Sequence, residues 1–210
     1  MLLPPFYPIL DTLTAARHGI TVISAAEQIL DGGARILQVR HKDFFSAQLF
    51  SDLERIASLC HDAQARLVIN DRADVARLLS ADLHLGQEDL PPSDARRVTG
   101  TSTVIGFSTH NEQQFRDALA EPIDYVAFGP IFSTASKGKA DPVVGIEELR
   151  SLRPLTGRPL VSIGGITRAN ARAVLDAGAN SVAVIGDLFP SNGDLRRRVE
   201  EWVRLVGRLS

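Results

Sequence analysis

Eight short runs rich in Val, Ile, Leu and Phe punctuate the chain, none with clean polar alternation, and an amphipathic segment follows nearly every one. The runs lie near Tyr7–Leu10, Arg35–Val39, Arg66–Ile69, Asp82–Leu85, Thr103–Phe107, Tyr125–Phe128, Leu160–Ile163 and Ser181–Val184. Strands that are apolar throughout belong to sheets covered on both faces, which is the pattern of parallel strands with helices packed outside them. Apolar residues recur at helical spacing over Ala25–Leu30, Ser46–His61, Ala73–Leu79, Glu112–Leu119, Ile146–Leu152, Ala169–Asp176 and Asp194–Val206. Pro91-Pro92 leaves room for only a short helix over Ser93–Val98. Gly32-Gly33 and Gly178 stand where helices should stop, and Asn111 and Thr167 where they should start.

Such alternation leaves a closed (β/α)8 barrel or a doubly wound open sheet. No G-x-G-x-x-G follows the first strand, so the dinucleotide-binding open sheet loses support. The expectation is a single (β/α)8 TIM barrel over residues 1–210, with its active site at the C-terminal ends of the strands. A length of 210 residues and 44% hydrophobic content suit one such unit. A net charge of −2 provides no global attraction for nucleic acid or an anionic membrane. The opening stretch to Phe6 lacks a basic region and is broken by prolines, which makes a poor signal peptide. No apolar stretch reaches the ~20 residues of a spanning helix. Cys60 is the one cysteine, which excludes an intrachain disulfide or a cysteine-cluster metal site and suits a reducing cytoplasm.

Chemistry collects at the strand ends. Gln38, Arg40 and Lys42 alternate along an extended segment, so they share a face and form a plausible grip for a polyanion. Asp71 and Asp89 follow neighbouring strands. Each could cap a helix, but as a pair opposite two cations they suit Mg2+, which takes one or two carboxylates and completes its shell with phosphates and water. Gly164-Gly165 and Gly186 follow the last two strands, where barrels commonly bind phosphate through backbone N–H groups. The connection from Gly129 to about Val144 is long for a βα loop and carries Thr134, Ser136 and Lys137, so it could close as a lid. His84 could pack or act, His110 could support a loop, and His18 and His41 read as solvent-facing.

In order along the chain, these ends resemble thiamine-phosphate synthase. The resemblance rests on Gln38-Val39-Arg40-His41-Lys42, Asn70-Asp71, His84 through Asp89, Gly106 through His110, Gly129 through Lys137 and Ile163-Gly164-Gly165-Ile166. It implies a Mg2+-dependent transferase that joins 4-amino-2-methyl-5-hydroxymethylpyrimidine pyrophosphate to hydroxyethyl-thiazole phosphate. Asp71 and Asp89 would ligate Mg2+. Gln38, Arg40, Lys42, Asn70, Ser108 and Lys137 would hold the pyrimidine pyrophosphate, with Arg40, Lys42 and Lys137 stabilising the leaving group. Thr134, Ser136, Gly165 and the Ile185-Gly186 backbone would hold the thiazole phosphate. The chain departs from the family pattern at His41, usually acidic, at Ser136, commonly threonine, and at Gly186, commonly serine. The strand before His84 is one residue short, which puts the place of Asp89 in question. A thiazole tautomerase on the same fold and a non-catalytic phosphate-ligand barrel are the competing readings.

Overall fold

The computed structural model describes residues 2–134, 142–189 and 193–207. Eight parallel strands close into a barrel in sequence order. They are β1 (Phe6–Asp11), β2 (Ile36–Arg40), β3 (Arg66–Asn70), β4 (Asp82–Leu85), β5 (Ile105–Thr109), β6 (Tyr125–Phe128), β7 (Leu160–Ile163) and β8 (Ser181–Val184). Closure is made by β1 against β8, with Tyr7 opposite Ala183. Outside lie α1 (Thr12–Arg17), α2 (Val22–Asp31), α3 (Ala47–Asp62), α4 (Ala73–Leu78), α5 (Pro92–Thr99), α6 (Glu112–Ala118), α7 (Gly145–Leu152), α8 (Ala171–Asp176) and α9 (Leu195–Val206). Within the described residues no helix is long and apolar enough to cross a membrane.

Strand periodicity divides the buried side chains into two cores. Tyr7, Ile9, Ile36, Val68, Tyr125, Ala127, Val161 and Ala183 fill the barrel interior. Alternate residues such as Leu10, Leu37, Ile69 and Leu83 pack outward with the helices, where Ile29, Ile56, Phe115 and Trp202 are fully buried. Trp202 of α9 stacks on Phe6 with ring centroids 5.2 Å apart. Two residues further along the inward row from Ile9, Ile36 and Val68 come Asp11, Gln38 and Asn70, all buried at the barrel mouth. The opposite end is closed by Arg66, which donates to Asp82 at 2.7 Å, while Asp82 accepts the Val104 amide at 3.2 Å. Polar pairing at that end serves the fold, since chemistry in such barrels sits at the other.

One helix has no counterpart in the sequence pattern, and two sequence expectations need correction. Helix α1 has no apolar stripe, because Ala15 is its sole buried residue; it forms because the Asp11 side chain caps the Thr14 amide. Thr167 does not cap α8, which begins at Ala171, and its own amide donates instead to Asn170 Oδ1 at 2.7 Å. Strand β5 starts two residues later than its apolar pattern suggests, at Ile105, whose amide is held by Asp124 Oδ2 at 2.8 Å. That shift brings Ser108 and Thr109 into the strand itself.

Candidate active site

Two ion pairs dominate the mouth on the β1–β4 side. Arg40 Nη1 donates to Asp11 Oδ2 at 2.5 Å, and both side chains are largely buried. Burial acts to raise the Asp11 carboxyl, but hydrogen bonds from the Thr14 hydroxyl and amide and from Arg40 hold it below its ordinary value. Asp11 is therefore an anion that both starts α1 and fixes the guanidinium. Lys42 Nζ lies 2.5 Å from Asp71 Oδ2. Asp71 is in turn in hydrogen-bonding contact with Asp89. Burial first, and then this second carboxyl, pushes Asp71 up to about 6 against the opposing pull of Lys42.

Neither aspartate caps a helix. The cap residues of α4 and α5 are Arg72 and Pro91, without side-chain cap bonds. Asp71 instead sits in the left-handed region, at φ +67°, and Asp89 Oδ2 closes the β4 turn by accepting the Gly86 amide at 2.7 Å. Asp89 thus reaches Asp71 despite the short fourth strand. Two carboxylates forced together beside one ammonium form a donor set that fits a hard divalent cation. Among the described residues no group of three or more His, Cys, Asp or Glu could hold a metal ion. A magnesium ion here would therefore complete its shell with phosphate oxygens and water.

The interior below the mouth carries a chain of hydrogen bonds. Gln38 Nε2 donates to the Tyr7 hydroxyl at 3.0 Å, which lies 2.8 Å from the Tyr125 hydroxyl. Tyr125 in turn meets His84 Nδ1 at 2.9 Å, and His84 Nε2 meets Ser108 Oγ at 2.8 Å. Each hydroxyl can donate once and accept twice, so the chain links Gln38 to Ser108 through both ring nitrogens of His84. Burial above all pushes both phenols up, so they remain neutral. Gly106 makes space for this chain, because a Cβ there would lie 1.9 Å from Tyr125 Cζ.

On the other side of the mouth the polar groups are backbone. Gly165, at φ +62°, turns the chain after β7, and a Cβ there would come within 2.5 Å of the Ser133 carbonyl. Asn170 Nδ2 donates to the Gly165 carbonyl at 3.0 Å. After β8, Gly186–Leu188 forms one turn of 3-10 helix, begun when the Leu188 amide donates to Ile185 O at 3.2 Å.

The fold thus brings Gln38, Arg40, Lys42, Asn70, Asp71, Asp89 and Ser108 to one side of the mouth, and Gly165, Ile185 and Gly186 to the other. Thr134 lies at the end of the described part of the connection after β6, whereas Ser136 and Lys137 fall outside the described residues. His110 supports that connection, with Nδ1 2.6 Å from the Gly129 carbonyl. His41 is not solvent-facing as expected: its ring joins Thr12 Oγ1 at 2.8 Å and the Phe44 carbonyl at 3.1 Å, tying the loop after β2 to α1. His18 is exposed as expected, with its ring stacked on Phe189 at 5.2 Å. Asp11, Tyr7 and Tyr125 escaped the sequence reading. A carboxylate ending the first strand could have flagged Asp11, but the tyrosines read as ordinary strand residues.

A (β/α)8 barrel with an acidic pair beside fixed cations and glycine turns on its last two strands is an enzyme of the phosphate-handling class. The chain belongs to the thiamine monophosphate synthase family, whose pattern matches residues 6–188. It is 43% identical to thiamine-phosphate synthase of Koribacter versatilis over 187 residues, covering 89% of this chain and 87% of that one. Against the enzyme of the same name from Methanospirillum hungatei it is 40% identical, covering 88% and 89%. The solved thiamine phosphate pyrophosphorylase from Pyrococcus furiosus superposes with a TM-score of 0.87 at 28% identity, over 98% of this chain and 96% of that one.

Proposed function

We propose that this transferase joins 4-amino-2-methyl-5-hydroxymethylpyrimidine pyrophosphate to hydroxyethyl-thiazole phosphate, releasing thiamine phosphate and pyrophosphate. The observation that carries the reading is the contact of Asp71 with both Lys42 and Asp89, at the same strand ends as a buried Gln38 and a clamped Arg40. Asp71 and Asp89 would hold Mg2+, which supplies positive charge to the departing pyrophosphate. Arg40, fixed by Asp11, and Lys42 would meet the same developing charge, joined by Lys137 from the connection after β6.

Gln38 already spends an N–H on Tyr7, so its carbonyl oxygen is available to an N–H donor such as the pyrimidine amino group. Asn70 and Ser108 border the same space. Thr134, Ser136, Gly165 and the Ile185-Gly186 backbone would take the thiazole phosphate. The thiazole nitrogen attacks with a free lone pair and needs no general base. What remains for the protein is to help the C–O bond break and to align two phosphorylated partners. In this reading residues 1–210 serve one site. A proton-shuffling tautomerase would need neither the polyanion grip of Gln38, Arg40 and Lys42 nor the paired carboxylates of Asp71 and Asp89.

The test supplies both phosphorylated substrates with Mg2+ and measures thiamine phosphate. Turnover that EDTA abolishes is expected. Product no higher than in the EDTA control would sink the proposal, and consumption of a thiazole tautomer without the pyrimidine substrate would favour the isomerase.

A further inference from the structure

The two glycine turns belong to different strands, and nothing in the strand ladder sets the spacing of their amides beyond the last residue of each. The turn after β7 is braced internally by Asn170, which holds both the Thr167 amide and the Gly165 carbonyl. The turn after β8 is braced from outside, by way of Asp187. This residue sits inside the 3-10 turn, yet its carboxylate faces α9: Oδ2 accepts from the fully buried Trp202 at 3.0 Å and Oδ1 lies 3.4 Å from Arg198 Nη1. Arg198 Nη1 also donates to the Asp187 carbonyl at 2.7 Å, so side chain and backbone of the turn are both held.

A third partner crosses between the turns. Arg168, from the segment after β7, donates through Nε to Asp187 Oδ2 at 3.1 Å and also pairs with Glu201 of α9. Arg197 of α9 also pairs with Glu201, so three guanidiniums meet the two carboxylates of Asp187 and Glu201. Arg168 and Arg198 are each held by a carboxylate.

We infer that Asp187 is a positioning residue: through Arg168 it clips the turn after β7 to the turn after β8, and through Arg198 and Trp202 it anchors both to α9. The clip fixes the separation of the Gly165 and Gly186 backbones. Its consequence for the thiazole phosphate rests on the reading proposed above. A phosphate held by backbone N–H groups tolerates little change in their spacing, because the donors cannot swing as side chains do.

Hydrogen exchange tests the clip without any assay of activity. In Asp187→Ala, amides of both turns, 164–168 and 185–188, should exchange at least about tenfold faster, while the turns after β2 and β3 keep their rates. Faster exchange in α9 alone would overturn the clip and leave a simple helix anchor. Steady-state kinetics then test its consequence. KM for the thiazole phosphate should rise roughly tenfold with KM for the pyrimidine pyrophosphate changed less than about twofold. Asp187→Asn keeps an acceptor for Trp202 but loses the charge facing two arginines, and should lie between.

Arg168→Gln gives a milder version should Asp187→Ala fail to fold. In it, an unchanged thiazole KM together with unchanged exchange of the β8 turn overturns the inference. If the unaltered protein makes no thiamine phosphate, the substrate assignment fails, while exchange of the two turns still decides the clip.

Discussion

On the β1–β4 side of the mouth the groups facing an incoming anion are side chains, and the two cations among them are each tied to a carboxylate: Arg40 to Asp11 and Lys42 to Asp71. On the β7–β8 side they are backbone turns, braced from behind by Asn170 and Asp187. The two sides solve one problem, presenting positive potential to phosphate, in different ways. Side chains can bring full charge and exchange partners when a metal or substrate arrives, at the cost of buried ionic groups that disfavour the empty fold. Backbone turns bring only dipoles but hold them in place. A group that must release pyrophosphate suits the first device, and one that must only orient a nucleophile suits the second.

Asp71→Asn should break the side-chain half most severely. Turnover in saturating Mg2+ should fall by at least about a thousandfold, with circular dichroism unchanged. The same substitution should stabilise the metal-free protein at pH 7 by roughly 1–2 kcal/mol in urea denaturation. The sign follows from the raised carboxyl. The unfolded chain ionises Asp71 near its ordinary value of 3.8 while the fold keeps the proton to about 6, so stability is lost as pH rises through that window. The gain from Asn should accordingly vanish near pH 4. A destabilised Asp71→Asn at pH 7 would mean that Lys42 compensates the acidic pair fully.

Gly165→Ala strikes the backbone half. Its φ of +62° and the Ser133 carbonyl at 2.5 Å from a new Cβ force the turn to shift. KM for the thiazole phosphate should rise by about a hundredfold, well beyond any change for the pyrimidine substrate. Equal rises for both substrates would erase the division between the halves.

Lys42→Met sharpens the comparison from the other direction. It should weaken pyrimidine pyrophosphate while tightening substrate-free Mn2+ binding by roughly tenfold, because an ammonium no longer neutralises Asp71. Electron paramagnetic resonance of free Mn2+ would measure this, and unchanged binding would place Lys42 outside the cation's field. No charged exchange of that kind exists at Gly165 or Gly186.

The smallest effect concerns neither half. Burial pushes the Cys60 thiol from 9.0 up to about 12, so the unfolded chain loses its thiol proton first and stability should decline by about 1 kcal/mol between pH 9 and 10. Cys60→Ala should flatten that decline, and an unchanged slope in chemical denaturation would assign it to other groups.

Much of this arrangement is legible in the chain itself. Inward parity along β2 places Gln38, Arg40 and Lys42 together because side chains alternate in any strand. The order of strands follows from βα alternation, since parallel neighbours joined by helices have few other ways to close. Helix α1 is not legible, because a six-residue helix that buries Ala15 has no stripe to detect. Nor is the inward direction of Tyr7 and Tyr125. A strand apolar on both faces does not declare which face meets the barrel axis, and only closure, with Gly106 yielding space, settles it.

The sequence by itself determined the repeating β/α order, the inward row of anion-binding side chains and the glycines that permit tight turns, because each depends on neighbours within a few residues. Tertiary structure alone decided which acid meets which cation. Asp11 and Arg40 are 29 positions apart, and Lys42 meets Asp71, and Asp187 meets Trp202, only after the barrel has closed. Coulombic and hydrogen-bonding partners are selected by distance in space, and a linear pattern carries no record of it.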